Sequence, residues 1–334
     1  MQEAAKTDFL PWSDLRDLAA GANQRMPYLR TGPGALRFCV SAREAFAAIS
    51  VVEDRVRRMS ARIAVGLPSG AMEPANEVLV GRVGGPLRRK PFQSWHKEVF
   101  VPSIQRSGLL FVTSQSEVAD AIDDAFELLA GVQTSTSWAS VASAWAVVEG
   151  LLSSPDESGA SAADKMAAVV ACSFPRAEMT QLAEVVSQDD GPAGESLRSR
   201  PTVTDRLDVL MALMSDGATL PVAGPADLAA VGRLKAIVAD KSGVLERVRG
   251  YCSDAFRRMY QQRNLVMHKG RSDSVALPAT LRTVPALVAA GVDRLVHAGF
   301  QAAASTPQEV AARASNELAL VGQPGGRKLY RLLD

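Results

Sequence analysis

At 334 residues the chain is too long for one small domain, and 47% apolar with 22% charged residues supplies core material and excludes wholesale disorder. A net charge of +1 makes no global claim on nucleic acid or an anionic membrane, so any such claim must come from local patches. Three scattered cysteines, Cys39, Cys172 and Cys252, exclude a disulfide framework or a cysteine-based zinc module and fit a reducing compartment. The first residues lack the apolar stretch of a signal peptide, and no apolar run reaches the roughly 18 residues of a membrane span, which together point to a soluble cytoplasmic protein.

In chain order, residues 35–40 read as a short strand. Residues 41–63 read as a helix with Ser41 as N-cap and Glu44 completing a capping box. Residues 77–83 and 109–113 are further strand candidates, and the Gly/Pro/Arg-rich stretch 84–91 reads as an exposed loop. From about Ser116 the texture turns helical. Residues 117–129 and 137–152 carry apolar positions at helical spacing, the latter including Trp138 and Trp145 as core. Residues 161–172 open with Ser161 and Asp164 in a capping-box arrangement, and helices follow at about 176–187, 204–215 and 226–240. The polar gap 188–201 reads as a loop. A long helix spans 244–268, Pro278 starts another to about His297, and 305–334 reads as a tail with one short helix. The expected fold is mainly α: a small α+β domain over 1–115, an all-helical domain over 116–300 and a tail over 301–334.

On the long helix, Val244, Val248, Tyr251, Ala255, Met259 and Val266 form the expected core stripe, within roughly 80° of arc. A second face carries Phe256, Tyr260, Arg263, Asn264, Met267 and His268. That mixture of aromatics, Met, Arg and His suits a helix held between its own bundle and another helix or subunit. The segment 245–271 also holds seven basic residues, including Arg257, Arg263, Lys269 and Arg271, against Glu246 and Asp254. Such a surface either attracts RNA phosphates or is an ordinary solvated helix face.

The run Tyr260-Gln-Gln-Arg263-Asn264-Leu-Val-Met-His268-Lys269-Gly270 resembles the Arg-x4–6-His signature of HEPN domains, in the Arg-Asn-x-x-x-His form of prokaryotic defence and toxin RNases, including those described as ApeA-like. The upstream Trp145-Ala-Val-Val-Glu149 helix and the final helix from Pro278 add to the resemblance, which covers roughly 115–300. It implies a HEPN-like helical bundle cleaving RNA without metal or cofactor. RNA cleaves when its 2′-hydroxyl attacks the adjacent phosphate. His268 would then move protons, since histidine has a reference pKa near 6.5. Arg263 would stabilise the phosphorane through its fork of donors. Asn264 would orient the imidazole or contact phosphate, and Lys269, Arg271, Tyr260 and Arg257 would hold RNA. The resemblance also implies a homodimer, a role in phage defence or as a toxin, and a regulatory partner encoded nearby.

Other readings stand beside these. Arg263 and His268 also suit a structural pair near a helix end, with His268 as a C-terminal cap. The bundle would then be a non-catalytic HEPN scaffold for dimerisation or for nucleotide or protein binding. Glu149 suits a buried partner of Arg257 or Arg263 better than a proton carrier. Tyr260 serves packing or an interface, or stacks on a base. In a regular helix Arg263 and His268 lie about 140° apart, so one copy would not bring both to a phosphate unaided. Gly270 marks the helix end, where the backbone could loosen around His268. His96 has no metal-ligand companion, 81–86 lacks the frame of a P-loop or dinucleotide fingerprint, and no Gly-x-Ser-x-Gly elbow occurs.

Overall fold

A computed structural model describes residues 7–21, 34–66, 77–92, 99–106, 117–270, 274, 276–301 and 305–333. The chain is mainly helical, with a small strand-containing N-terminal region. It divides into two units, Met1–Trp95 and His96–Asp334, each described by itself. None of the described helices is long and apolar enough to cross a membrane.

In the first unit β1 (Thr7–Pro11) pairs antiparallel with β2 (Gly34–Phe38), Thr7 opposite Phe38, and α1 (Trp12–Gly21) packs on both. Helix α2 (Ala45–Gly66) buries Ile49, Glu53 and Val56, one stripe at i, i+4 and i+7. It begins four residues after Ser41, with the Ala48 N–H on the Glu44 carbonyl, so the expected capping box is not used. β3 (Glu77–Val80) pairs with β4 (Arg88–Pro91), where a loop was expected. An Arg-Arg-Lys-Pro strand carries no alternating apolar signal, and what holds it is the ladder plus a diagonal Arg89–Glu77 ion pair at 3.3 Å. The strand candidate at 109–113 lies outside the described residues.

The second unit is built around α6 (Gly159–Ser187), which is buried on nearly every side. Small residues at Ala162, Ala163, Ala167, Ala168 and Ala171 let its neighbours approach closely. Around it lie α5 (Ser137–Leu152), α7 (Pro192–Arg198), α8 (Val203–Ser215), α9 (Pro225–Ala239), α10 (Lys241–Lys269), α11 (Ala276–Gln301) and α12 (Pro307–Leu320). Helix α4 (Glu117–Thr134) pairs with α5, and α3 (Pro102–Arg106) with α11. Where two helices were expected, α6 is one, running through Pro175. That proline forfeits a single backbone hydrogen bond, and dense packing on both sides of it holds the helix together. Residues 192–198, expected as loop, form the short α7 started by Pro192 at its first turn.

The segment 305–333 is bound into the bundle. Helix α12 buries Val310, Ala311, Ala314 and Leu318, and the 3-10 turn Leu329–Arg331 is followed by buried Leu332 and Leu333. The Leu333 N–H donates to buried Glu317 at 2.6 Å, and Arg294 donates to the Leu333 carbonyl. Burial, with the Arg176 charge adding to it, pushes the Arg294 guanidinium down to about 10.

At Gly291 α11 packs tightly on α6, because a Cβ there would overlap the sulfur of fully buried Met166. Gly291→Val is expected to destabilise by about 1–3 kcal/mol through overpacking. Gly250→Ala, facing open space on α10, is expected to stabilise by about 0.5–1 kcal/mol. Urea denaturation of the two variants checks both signs.

Candidate functional site at the end of α10

Helix α10 runs regularly through Lys269 and stops at Gly270, whose left-handed φ of 61° needs no side-chain compromise and whose N–H closes on the Leu265 and Val266 carbonyls. The backbone therefore does not loosen at His268, and Arg263 and His268 stay about 140° apart. His268 and Lys269 stand exposed in the last turn, where positive charge suits the helix dipole.

Arg263 points the other way, towards α5. Its Nη2 lies 3.6 Å from Glu149 Oε2, and its Nη1 donates to Asn264 Oδ1 at 3.0 Å. The Arg263 side chain is 26% exposed, so the pair is half-buried. Glu149 is thus the partner of Arg263, one of the two options the sequence offered. Asn264 orients Arg263 here, not the His268 imidazole.

Arg257 is committed elsewhere. It forks onto Asp164 of α6, Nε to Oδ1 at 3.2 Å and Nη2 to Oδ2 at 2.6 Å, while Ser253 Oγ donates to the same carboxylate at 2.5 Å. Asp164 is therefore a clamp between helices, and α6 takes Ser158 as its N-cap instead of using the expected Ser161/Asp164 box. Ser161 donates its hydroxyl to Glu157. Burial opposes the charged form of Asp164, but the hydrogen bonds from Arg257 and Ser253 outweigh it and hold the carboxyl below its ordinary range. A depressed folded pKa contributes stability above the unfolded value near 3.9, lost as pH falls through the folded value. Urea midpoints of wild type and Asp164→Asn are expected to differ near neutral pH and converge below about pH 4. A gap persisting in strong acid would contradict this role.

Tyr260 is half-buried against Trp145, ring centroids 4.8 Å apart and planes at 44°. Its far edge lies over Gly159, the first residue of α6, where a Cβ would come within 2.8 Å of the ring. The Trp145 Nε1–H is buried with no acceptor among the described residues. Trp145 is core as expected, whereas Trp138 is exposed. Arg271 and His96 lie outside the described residues.

The stripe that packs α10 into the bundle is Leu245, Cys252, Phe256, Met259 and Gln262. Phe256 is 0% exposed and Tyr251 73%, the reverse of their expected places. Both stripes carry apolar residues at helical spacing; the larger contact surface of Phe256 and Leu245 against α6 and its neighbours decides which faces inward.

A concavity of about 300 Å³ lined by Asp208, Met211, Lys241, Lys328 and Tyr330 lies at the opposite end of α10. At 1.5 Å per residue Lys241 is about 40 Å from His268. The Tyr330 hydroxyl and Lys328 ammonium both close on Asp208, so this notch seats the C-terminal segment. Among the described residues no group of three or more His, Cys, Asp or Glu converges as a metal-binding cluster would.

Compared with known proteins, the chain matches no family model, no curated protein and no solved structure.

Proposed function

We propose that this chain is a HEPN-type endoribonuclease that cleaves RNA without metal, using Arg263 and His268 contributed by two copies of the chain. The observation that carries this reading is the division of α10: His268 open beside Lys269 at the helix end, and Arg263 about 140° round the helix, oriented by Glu149 and Asn264. In the reaction the 2′-oxygen bonds to phosphorus, the P–O5′ bond breaks, and a 2′,3′-cyclic phosphate and a 5′-hydroxyl result. The 2′-hydroxyl proton leaves to a base and the 5′-oxygen gains one from an acid; His268 is suited to such transfer. Arg263 meets the charge on the phosphorane oxygens. Two motifs face to face supply both groups to one phosphate, which a regular helix denies to a single copy. A latent RNase of this kind fits phage defence or a toxin restrained by a partner from a neighbouring gene.

The test is cleavage of single-stranded RNA in EDTA by wild type, Arg263→Ala and His268→Ala, with the product's 3′ end identified. Cyclic-phosphate product that disappears in both variants supports the reading, and activity unchanged in them overturns it.

One observation favours a second reading. The Arg263–Glu149 pair ties α10 to α5, as a non-catalytic scaffold would require. A scaffold would bind its partner unchanged after His268→Ala and would cleave nothing.

A further inference from the structure

We propose that the β3–β4 hairpin of the first unit holds the phosphate backbone of RNA, with Arg82 and Arg88 as the phosphate contacts; this rests on the RNA-cleavage reading above, which requires the chain to hold an RNA. The net charge of +1 conceals two opposite parts. Met1–Trp95 carries 14 Lys and Arg against 9 Asp and Glu, whereas His96–Asp334, which holds Arg263 and His268, carries 23 against 27. A polyanion is attracted by the first balance and repelled by the second. The basic residues of α10 do little to reverse this, since Arg247, Arg249, Arg257 and Arg263 are each drawn into an ion pair within the chain.

Most of the excess in the first unit sits on the hairpin, where residues 77–91 hold Arg82, Arg88, Arg89 and Lys90 against Glu77 alone. Glu77 lies at the end away from the turn and pairs with Arg89. Lys90 stands over the Phe46 ring of α2, 5.4 Å from its centroid. The two arginines nearer the turn are not engaged in this way. Arg82 and Arg88 are exposed, and among the described residues neither is in an ion pair.

The backbone fixes where these two stand. Val80 is opposite Arg88 in the ladder, and the Gly85 N–H closes a turn on the Arg82 carbonyl at 2.9 Å. With a rise of about 3.4 Å per residue and strands about 5 Å apart, their Cα atoms lie within roughly 10 Å of each other. Val83, between them at the turn, is 98% exposed, so the turn stands clear of the elements around it. Two guanidiniums without a counter-charge on a narrow projecting ribbon suit phosphate oxygens, which accept their donors in pairs. Residues 81–87 include no Asn, Gln, Asp, Glu, Ser or Thr, so beyond Arg82 the turn has no side chain to read a base edge. Binding through this hairpin is therefore expected to follow the backbone and to ignore sequence.

The test is fluorescence anisotropy of the full chain in EDTA with a labelled 12-nucleotide RNA, 2′-O-methylated throughout so that it cannot be cleaved. Wild type is expected to bind it, and the double variant Arg82→Ala/Arg88→Ala to bind about 10- to 100-fold more weakly. The slope of log affinity against log salt should fall by about 1.4 in that variant, two contacts at about 0.7 each. Arg82→Lys/Arg88→Lys keeps the charge and is expected to keep the slope. Lys235→Ala removes one exposed cation from the helical unit and is expected to leave affinity within twofold of wild type. If wild type fails to bind, or the double alanine variant binds within twofold of it, the hairpin proposal is overturned even where natural RNA is cleaved. If binding depends on the two arginines while wild type cleaves nothing, the hairpin proposal stands and the cleavage reading fails. If a labelled polyglutamate peptide binds as tightly as the RNA and loses affinity equally in the double alanine variant, the hairpin takes acidic protein segments and the proposal is overturned.

Discussion

His268→Ala is expected to lower metal-free RNA cleavage by about 10²–10⁴-fold, the ordinary contribution of a positioned acid–base group. The side chain is exposed at the end of α10, so its removal should shift stability by no more than about 0.5 kcal/mol, and lost activity would be lost chemistry. Arg263→Ala is expected to cost about 10²–10³-fold, the scale of removing one donor set from a developing anionic charge. That variant also breaks a half-buried ion pair, so it needs two companions. Arg263→Lys keeps the charge but loses the planar fork, and is expected to fold normally while remaining strongly impaired. Glu149→Gln keeps Arg263 and loses its anchor, and is expected to retain more activity than Arg263→Ala. Initial-rate cleavage with urea melts on the same preparations separates these outcomes. Equal losses in Glu149→Gln and Arg263→Ala would make Arg263 a structural strut.

The largest stability effect is expected at Phe256. It is fully buried on the inner stripe of α10, and Phe256→Ala should destabilise by about 3–5 kcal/mol, from lost transfer energy and the cavity left behind. Tyr251→Ala, on the opposite side of the helix axis and largely exposed, is expected to stay within about 0.5 kcal/mol of wild type. Urea denaturation reads both. If Tyr251→Ala proved the more damaging, α10 would be rotated from the orientation described.

Much of the helical layout was legible because its signals are local. Helix α5 occupies the residues that periodicity assigned to it, and α10 ends at the glycine that marked its stop. What local patterns missed was settled between elements distant in sequence. Asp164 reads locally as a capping residue, but its use is fixed by Arg257, 93 positions away. Tyr251 and Phe256 both lie on apolar stripes at helical spacing, and only the shape of the surrounding bundle chooses between them. Strand β4 was hidden because its charged residues show no alternation, and its evidence is the partner strand. At the site, the sequence named Arg263, His268 and the Glu149 option. It missed the use of Asn264 on Arg263, which depends on rotamers rather than spacing.

Arg263 and His268 are proposed to act together across two copies, because α10 holds them on different faces of one helix. The most direct measurement mixes two inactive variants, Arg263→Ala and His268→Ala, allows the copies to exchange, and assays RNA cleavage in EDTA. In a mixed dimer one composite site regains both wild-type groups, so equal mixing is expected to restore roughly a quarter of wild-type activity. If mixed dimers are confirmed by mass and cleavage stays at the level of the separate variants, the two residues do not share a site across copies and the account is contradicted.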